Sequence, residues 1–142
     1  MVKQLNVFSE NKQGKLEKMT GILADAKVAL RAMKISSSDA YGVIKFLVDD
    51  PEKGFEAFKT AGVTASLKDV VAVEVPDKPG GLHDLLALLS KNGVNIEDSY
   101  GFVIENEKRA AIILELSDPV GIEKLLTKNR YSIIGSSKLY SL

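Results

Sequence analysis

Two adjacent glycines behind a proline, in Val75-Pro76-Asp77-Lys78-Pro79-Gly80-Gly81-Leu82, make the stretch of this sequence best suited to holding a ligand. The apolar run Val70, Val71, Val73, Val75 precedes it and a leucine-rich segment follows, so the loop joins a strand to a helix. At such a junction the first four helical N–H groups have no intrahelical partner and the helix dipole is positive, which suits a carboxylate or a phosphate. Pro79 fixes the approach of the chain, and Gly80 and Gly81 let a ligand come near the backbone. The same residues equally suit a tight turn with Asp77 as an ordinary cap, and short glycine motifs do not by themselves decide between the two. Further on, Lys91-Asn92-Gly93 ends a helix in the usual way. Asn95, at the start of the next apolar strand, offers a donor and an acceptor to a ligand or to neighbouring backbone.

Other chemistries find little support. There is no cysteine, so disulfides, thiolate metal sites and cysteine nucleophiles are absent. The one histidine, His83, sits beside Leu82 rather than on the Leu85, Leu86, Leu89 stripe, and reads as solvent-facing rather than as a general base. The acidic pairs Asp49-Asp50 and Glu97-Asp98 lack the ligand spacing of a calcium loop, and the first reads as a helix cap. Ser36-Ser37-Ser38 reads as turn-forming residues at a strand end. No GxxxxGK[ST] phosphate loop occurs. Nineteen basic residues balance nineteen acidic ones, Lys108-Arg109 is too small a basic spot for a nucleic-acid footprint, and no aromatic pair lies on a basic strand. No catalytic residue, metal site or cofactor is therefore expected, and neither nucleic acid nor membrane as a partner. The start, MVKQLNVFSENKQGK, lacks a signal-peptide pattern, so the expected location is the cytoplasm.

The elements that position the loop recur twice. Val2 to Phe8 alternates as a strand. Leu16, Met19, Ile22, Leu23 and Ala26 then mark one face of a helix. Val28 to Ser38 and the VIKFLV run from Val43 to Val48 flank a turn at Asp39 to Gly42 and make a hairpin. Asp50-Pro51 opens a second helix that Gly62 ends, and Val63 to Val75 is again strand-like. From Val70 the order repeats: a strand to Val75, a helix from Leu82 to Lys91, strands from Val94 to Ile104 and Arg109 to Leu116, a helix from Asp118 to Lys128, and a strand from Tyr131 to Tyr140. Gly14 aligns with Gly80 (80 minus 14 is 66) and Asp50-Pro51 with Asp118-Pro119 (118 minus 50 is 68), the difference fitting a longer hairpin turn in the second half. The expected fold is α+β, two ferredoxin-like β-α-β-β-α-β repeats over 1–68 and 69–142, each an antiparallel sheet with its helices on one face, packed side by side.

The run Asp77-Lys78-Pro79-Gly80-Gly81-Leu82, a leucine helix and Gly93-Val94-Asn95-Ile96 together resemble the start of an ACT domain, the small amino-acid-sensing module attached to many enzymes of amino-acid metabolism. The resemblance spans essentially the whole chain as two repeats. It implies a protein without catalysis of its own that binds a free amino acid at an interface between domains, through the loop after the first strand. Carried onto this sequence, the ligand residues are Asp77, Pro79, Gly80, Gly81, Leu82, Asn95 and Ile96. In the first repeat the matching loop is Asn11, Gln13, Gly14, Lys15 and Leu16, while Ala29-Leu30 replaces Asn95-Ile96. That loop is either a site of different selectivity or a packing partner for the other. The resemblance further implies a sensor or regulatory protein, homodimeric through its exposed strand edges. The alternative is a regulatory subunit working mainly through protein contacts with an amino-acid biosynthetic enzyme.

Overall fold

The computed structural model describes all residues, 1–142. Along the chain run β1 (Val2–Glu10), α1 (Lys15–Asp25), β2 (Leu30–Ser38), β3 (Tyr41–Val48), α2 (Pro51–Thr60), β4 (Ala65–Pro76), α3 (Gly81–Lys91), β5 (Asp98–Glu105), β6 (Arg109–Glu115), α4 (Pro119–Lys128) and α5 (Ser136–Tyr140). These elements gather into two compact units, a first of residues 3–68 and a second of residues 69–140, which also takes in Met1–Val2. The boundary falls inside β4, between Lys68 and Asp69.

In the first unit the strand order is β2-β3-β1 followed by the opening residues of β4. β1 and β3 run antiparallel with Leu5 opposite Phe46 and Val7 opposite Ile44. Because side chains alternate along a strand, Leu5 and Val7 share a face, and there they meet Met19 and Leu23 of α1 and Phe58 of α2. The i, i+4 pair Met19 and Leu23 is buried as the helical spacing requires. Phe46 and Phe58 stack with ring centroids 6.1 Å apart, a pairing that adds about 0.5–1.5 kcal/mol to their burial. α2 starts where its sequence says it should: the Asp50 carboxylate accepts the Lys53 N–H at 3.1 Å and Pro51 occupies the first turn.

The second unit repeats the plan with β5-β6-β4. Val71, Val73 and Val75 of β4 face Leu85 and Leu89 of α3 and Ile122 and Leu126 of α4. Asp118 caps α4 through the Gly121 N–H at 3.0 Å, with Pro119 behind it. Three sequence expectations need correction. Tyr131 to Tyr140 is no strand: a single bridge joins Ile133 to Val73, with Glu74 N–H donating to Ser132 O at 2.9 Å and Ile134 N–H to Ala72 O at 2.8 Å. Beyond it Gly135 accepts the Leu139 N–H at 2.9 Å and α5 buries Leu139, because Gly135-Ser136-Ser137-Lys138 has no apolar alternation to sustain a strand. β5 starts at Asp98 rather than Val94, since Val94 N–H is spent on the end of α3, donating to Leu89 O at 3.0 Å. Ser36–Ser38 and Tyr41–Gly42 lie within the paired hairpin, Ser38 opposite Tyr41, and leave only Asp39-Ala40 as the turn.

Candidate functional site

The glycine loop is held by backbone before any ligand is considered. Lys78 N–H donates to Pro76 O at 3.0 Å and Gly81 N–H to Lys78 O at 3.0 Å, which folds the chain back on itself between β4 and α3. Gly80 is the N-cap of α3 in the left-handed conformation, φ 89° and ψ −13°. Gly81 is buried, and a Cβ there would run into the Pro76 carbonyl oxygen. Pro79 and Gly80 are exposed, as is much of Leu82.

Asp77 does not cap α3. Its N–H donates to Lys108 O at 3.1 Å and its carboxylate accepts the Glu107 N–H at 2.8 Å, tying the loop to the β5–β6 turn, where Glu107 has φ 61°. Asn95 and Ile96 lie in the irregular stretch between α3 and β5 rather than at a strand start. Asn95 is exposed, while Ile96 packs against the second unit's core. His83 is exposed, in agreement with its sequence position.

The first unit builds the same device from different residues. Asn11 N–H donates to Ala40 O at 2.8 Å and the Asn11 amide donates to Asp39 O at 3.3 Å, Asp39 having φ 53°. Asn11 thus ties its loop to its own hairpin turn as Asp77 does, with the side chain donating in one unit and accepting in the other. Gly14 is the left-handed N-cap of α1, φ 84°. Gln13 is exposed, Lys15 is half-buried, and Leu16 packs on the core. Beside the loop Lys12 and Glu10 pair at 2.7 Å in full solvent. That hydrogen bond holds the Glu10 carboxyl below and the Lys12 ammonium above their usual values. Asn11, Lys15 and Leu16 meet Ile35 and Ser37 of β2 around a cavity of about 70 Å³.

One contrast runs through both units. α2 and α4 are capped by aspartate, whereas α1 and α3, which follow the two glycine loops, have no side-chain cap at all. The first N–H of each is already used, Lys15 N–H donating to Lys12 O at 3.3 Å and Gly81 N–H to Lys78 O, which leaves the N–H groups of Leu16 and Glu17 and of Leu82 and His83 as the donors that an anion can satisfy. The second unit also carries a groove of about 340 Å³ that includes Gly81 and reaches Asp84, Arg130 and Tyr131. None of those last three was singled out from sequence. The available signal was the repeat itself, because Arg130 stands where the first half has Gly62.

The model of the ACT domain pair matches residues 1–141. The chain belongs to the ACT domain pair family. This ACT pair is similar to a Bacteroides thetaiotaomicron protein of known crystal structure, at 33% identity and a TM-score of 0.92, covering 99% of this chain and 96% of that one. The ligand-free regulatory subunit of aspartate kinase from Thermus thermophilus shares the fold at a TM-score of 0.66 and 18% identity, over 89% of this chain and 91% of that one. The corresponding subunit from Thermus flavus does so at 0.60 and 15%, over 89% and 90%. No curated protein matches. The fold is the tandem ferredoxin-like arrangement of ACT domains. No helix is long and apolar enough to cross a membrane.

Proposed function

We propose that this ACT pair, one ACT domain over 1–68 and one over 69–142, is a regulatory protein that binds a free amino acid. The observation that carries the reading is the pair of uncapped helix starts behind left-handed glycines, beside two helices that are capped by aspartate. The ligand carboxylate lies at the head of α3 against Gly80, Gly81 and Leu82, with Pro79 shaping the loop, Asn95 hydrogen-bonding and Ile96 offering apolar surface. A second ACT domain packed against the loop supplies the remaining wall. Asp77 and Asn11 serve this site by holding the loops in place. Gln13, Gly14, Lys15 and Leu16 form the matching position in the first unit, with the Lys15 ammonium available to an acidic ligand. The protein works as a cytoplasmic homodimer without catalysis, and ligand acts by favouring one packing of its domains over another.

A second reading has the pair acting mainly as the regulatory subunit of an enzyme of amino-acid metabolism. Its support is the fold shared with the aspartate kinase regulatory subunits. A thermal-shift screen against the twenty amino acids, with nucleotides as controls, tests the first reading. A ligand bound only by the native state adds about 2.7 kcal/mol at one hundred times its dissociation constant. Gly80→Asp puts a negative charge at the helix head where nothing lies within 4 Å of a Cβ, so the fold survives and the shift shrinks. An unaltered shift in that variant would refute the loop as the site. No shift with any amino acid moves the weight to the subunit reading, which co-purification with a larger enzyme checks.

A further inference from the structure

In the first unit, α1 and α2 leave a groove of about 520 Å³ between them. Ile22, Ala26, Ala57 and Ala61 give it an apolar lining, and Asp25 and Glu56 border it together with one lysine, Lys53. Ile22, Ala26 and Ala57 are half-buried, whereas Asp25, Lys53 and Glu56 are exposed. The groove lies toward the C-terminal end of α1, away from Gly14, and shares no residue with either glycine loop.

The repeat accounts for the hollow. At the offsets that align the two halves, Ile22 matches Leu88 (88 minus 22 is 66) and Ala57 matches Leu125 (125 minus 57 is 68), while Ala26 and Ala61 match Asn92 and Asn129. Leu88 and Leu125 pack on the second core with one side and stay half-exposed on the other. The second unit is therefore filled where the first is hollow. The charges differ in the same places. Asp25 matches Lys91, Glu56 matches Lys124 and Thr60 matches Lys128, and Gly121 stands for Lys53. All three lysines are exposed, and Lys124 and Lys128 stand at i, i+4 on one face of α4. No acid occurs among the residues that match the groove, so one face is hollow and net acidic and the other is filled and basic.

We propose that the α1–α2 groove is the docking site for the α3–α4 face of a second copy of this chain, with Leu88 and Leu125 entering the groove and Lys91, Lys124 and Lys128 meeting Asp25 and Glu56. The charged residues of both faces are exposed in the single chain, which leaves them open to such a partner. Like faces do not pair well. Two α3–α4 faces set three lysines against three, and two α1–α2 faces set hollow against hollow, where the lining atoms gain no packing partners. Unlike faces match in charge and fill the groove with leucine. Every copy carries both faces, so the contact is heterologous, and it either closes a ring of copies or passes from copy to copy.

The test is sedimentation velocity of the full chain from micromolar to millimolar concentration, with two charge-reversed chains beside the parent. One carries Asp25→Lys with Glu56→Lys, the other Lys91→Glu with Lys124→Glu. All four positions are exposed, so neither pair of changes disturbs a core. The parent's average mass should rise with concentration. Each reversed chain alone should associate about tenfold more weakly or worse, because attraction between the faces has become repulsion. Mixed in equal amounts, the two should associate more tightly than either alone, since each reversed face then meets a face of opposite sign. Ala57→Leu supplies a variant that keeps every charge: it fills the groove as Leu125 does in the second unit, costs the helix little, and should weaken association while melting no lower than the parent. A chain that stays monomeric up to millimolar concentration would overturn the proposal. So would a mixture no tighter than its components, or an Ala57→Leu chain that associates like the parent. Association of undiminished strength in both reversed chains would also overturn it and leave the strand edges as the interface.

Discussion

Gly80 and Gly81 are adjacent, yet replacing each by alanine should have different consequences. At Gly80 an added methyl meets nothing within 4 Å, so the only cost is holding a side chain at φ 89°. That amounts to about 1–2 kcal/mol. At Gly81 the methyl meets the Pro76 carbonyl oxygen and lies 3.2 Å from its carbon. Both are backbone atoms, and neither can turn aside as a side-chain end would. Pro76 is held opposite Arg109 in the β4–β6 ladder, and its oxygen accepts the Lys78 N–H at 3.0 Å. Making room therefore means opening the loop or moving α3 away from Leu85's pocket in the core. Overpacking of this kind costs about 1–3 kcal/mol, and the disturbed hydrogen bond adds about 1 kcal/mol, so Gly81→Ala should lose roughly 2–4 kcal/mol. Urea unfolding followed by circular dichroism reads the difference. With a slope of about 1–3 kcal/mol per molar urea, the Gly81→Ala midpoint should lie clearly below that of Gly80→Ala. Equal midpoints, or the reverse order, would refute the steric account of the second glycine.

Asp77→Ala should cost about 0.5–1.5 kcal/mol by removing the acceptor of the exposed Glu107 N–H, and hydrogen exchange at Glu107 should quicken. Unchanged exchange there would show that the carboxylate does not hold the turn. In alkaline solution, burial and then the charges of Glu115, Asp98 and Tyr140 raise the Tyr100 phenol above its ordinary value of 10.0. Above about that pH the unfolded chain releases a proton that the folded one retains, so stability falls as pH rises, by at most about 1.4 kcal/mol per pH unit for this group. Tyr100→Phe should flatten that decline in urea midpoints measured from neutral pH upward, and an unaltered slope would contradict it.

Much of the architecture was legible because its signals are local. The aspartate and proline at 50–51 and 118–119 announce two helix starts through a hydrogen bond spanning three residues, and the structure forms both. Met19 with Leu23, and Leu85 with Leu89, declare buried helix faces by spacing alone. The last segment misled because Tyr131, Ile133, Leu139 and Tyr140 supply strand-favouring residue types, whereas pairing depends on what lies alongside, and only Ser132 to Ile134 find β4.

The loops show where local reading ends. Left-handed glycine at 14 and 80 was foreseeable from residue type at a helix start, since only glycine enters that conformation without strain. The role of Asp77 was not, because its partner Glu107 lies 30 residues away and nothing near Asp77 distinguishes a cap from a tie. The same distance hides the groove beside α3, whose lining residues Asp84 and Arg130 stand at opposite ends of the α3 to α4 stretch and come to one groove only when the chain after α4 returns alongside β4. The sequence by itself determined the repeat, the helix starts and the glycine turns, each set by residues within a few positions of one another. The tertiary structure alone decided which side chains brace the turns and which residues line the groove beside α3, because those depend on long-range approach.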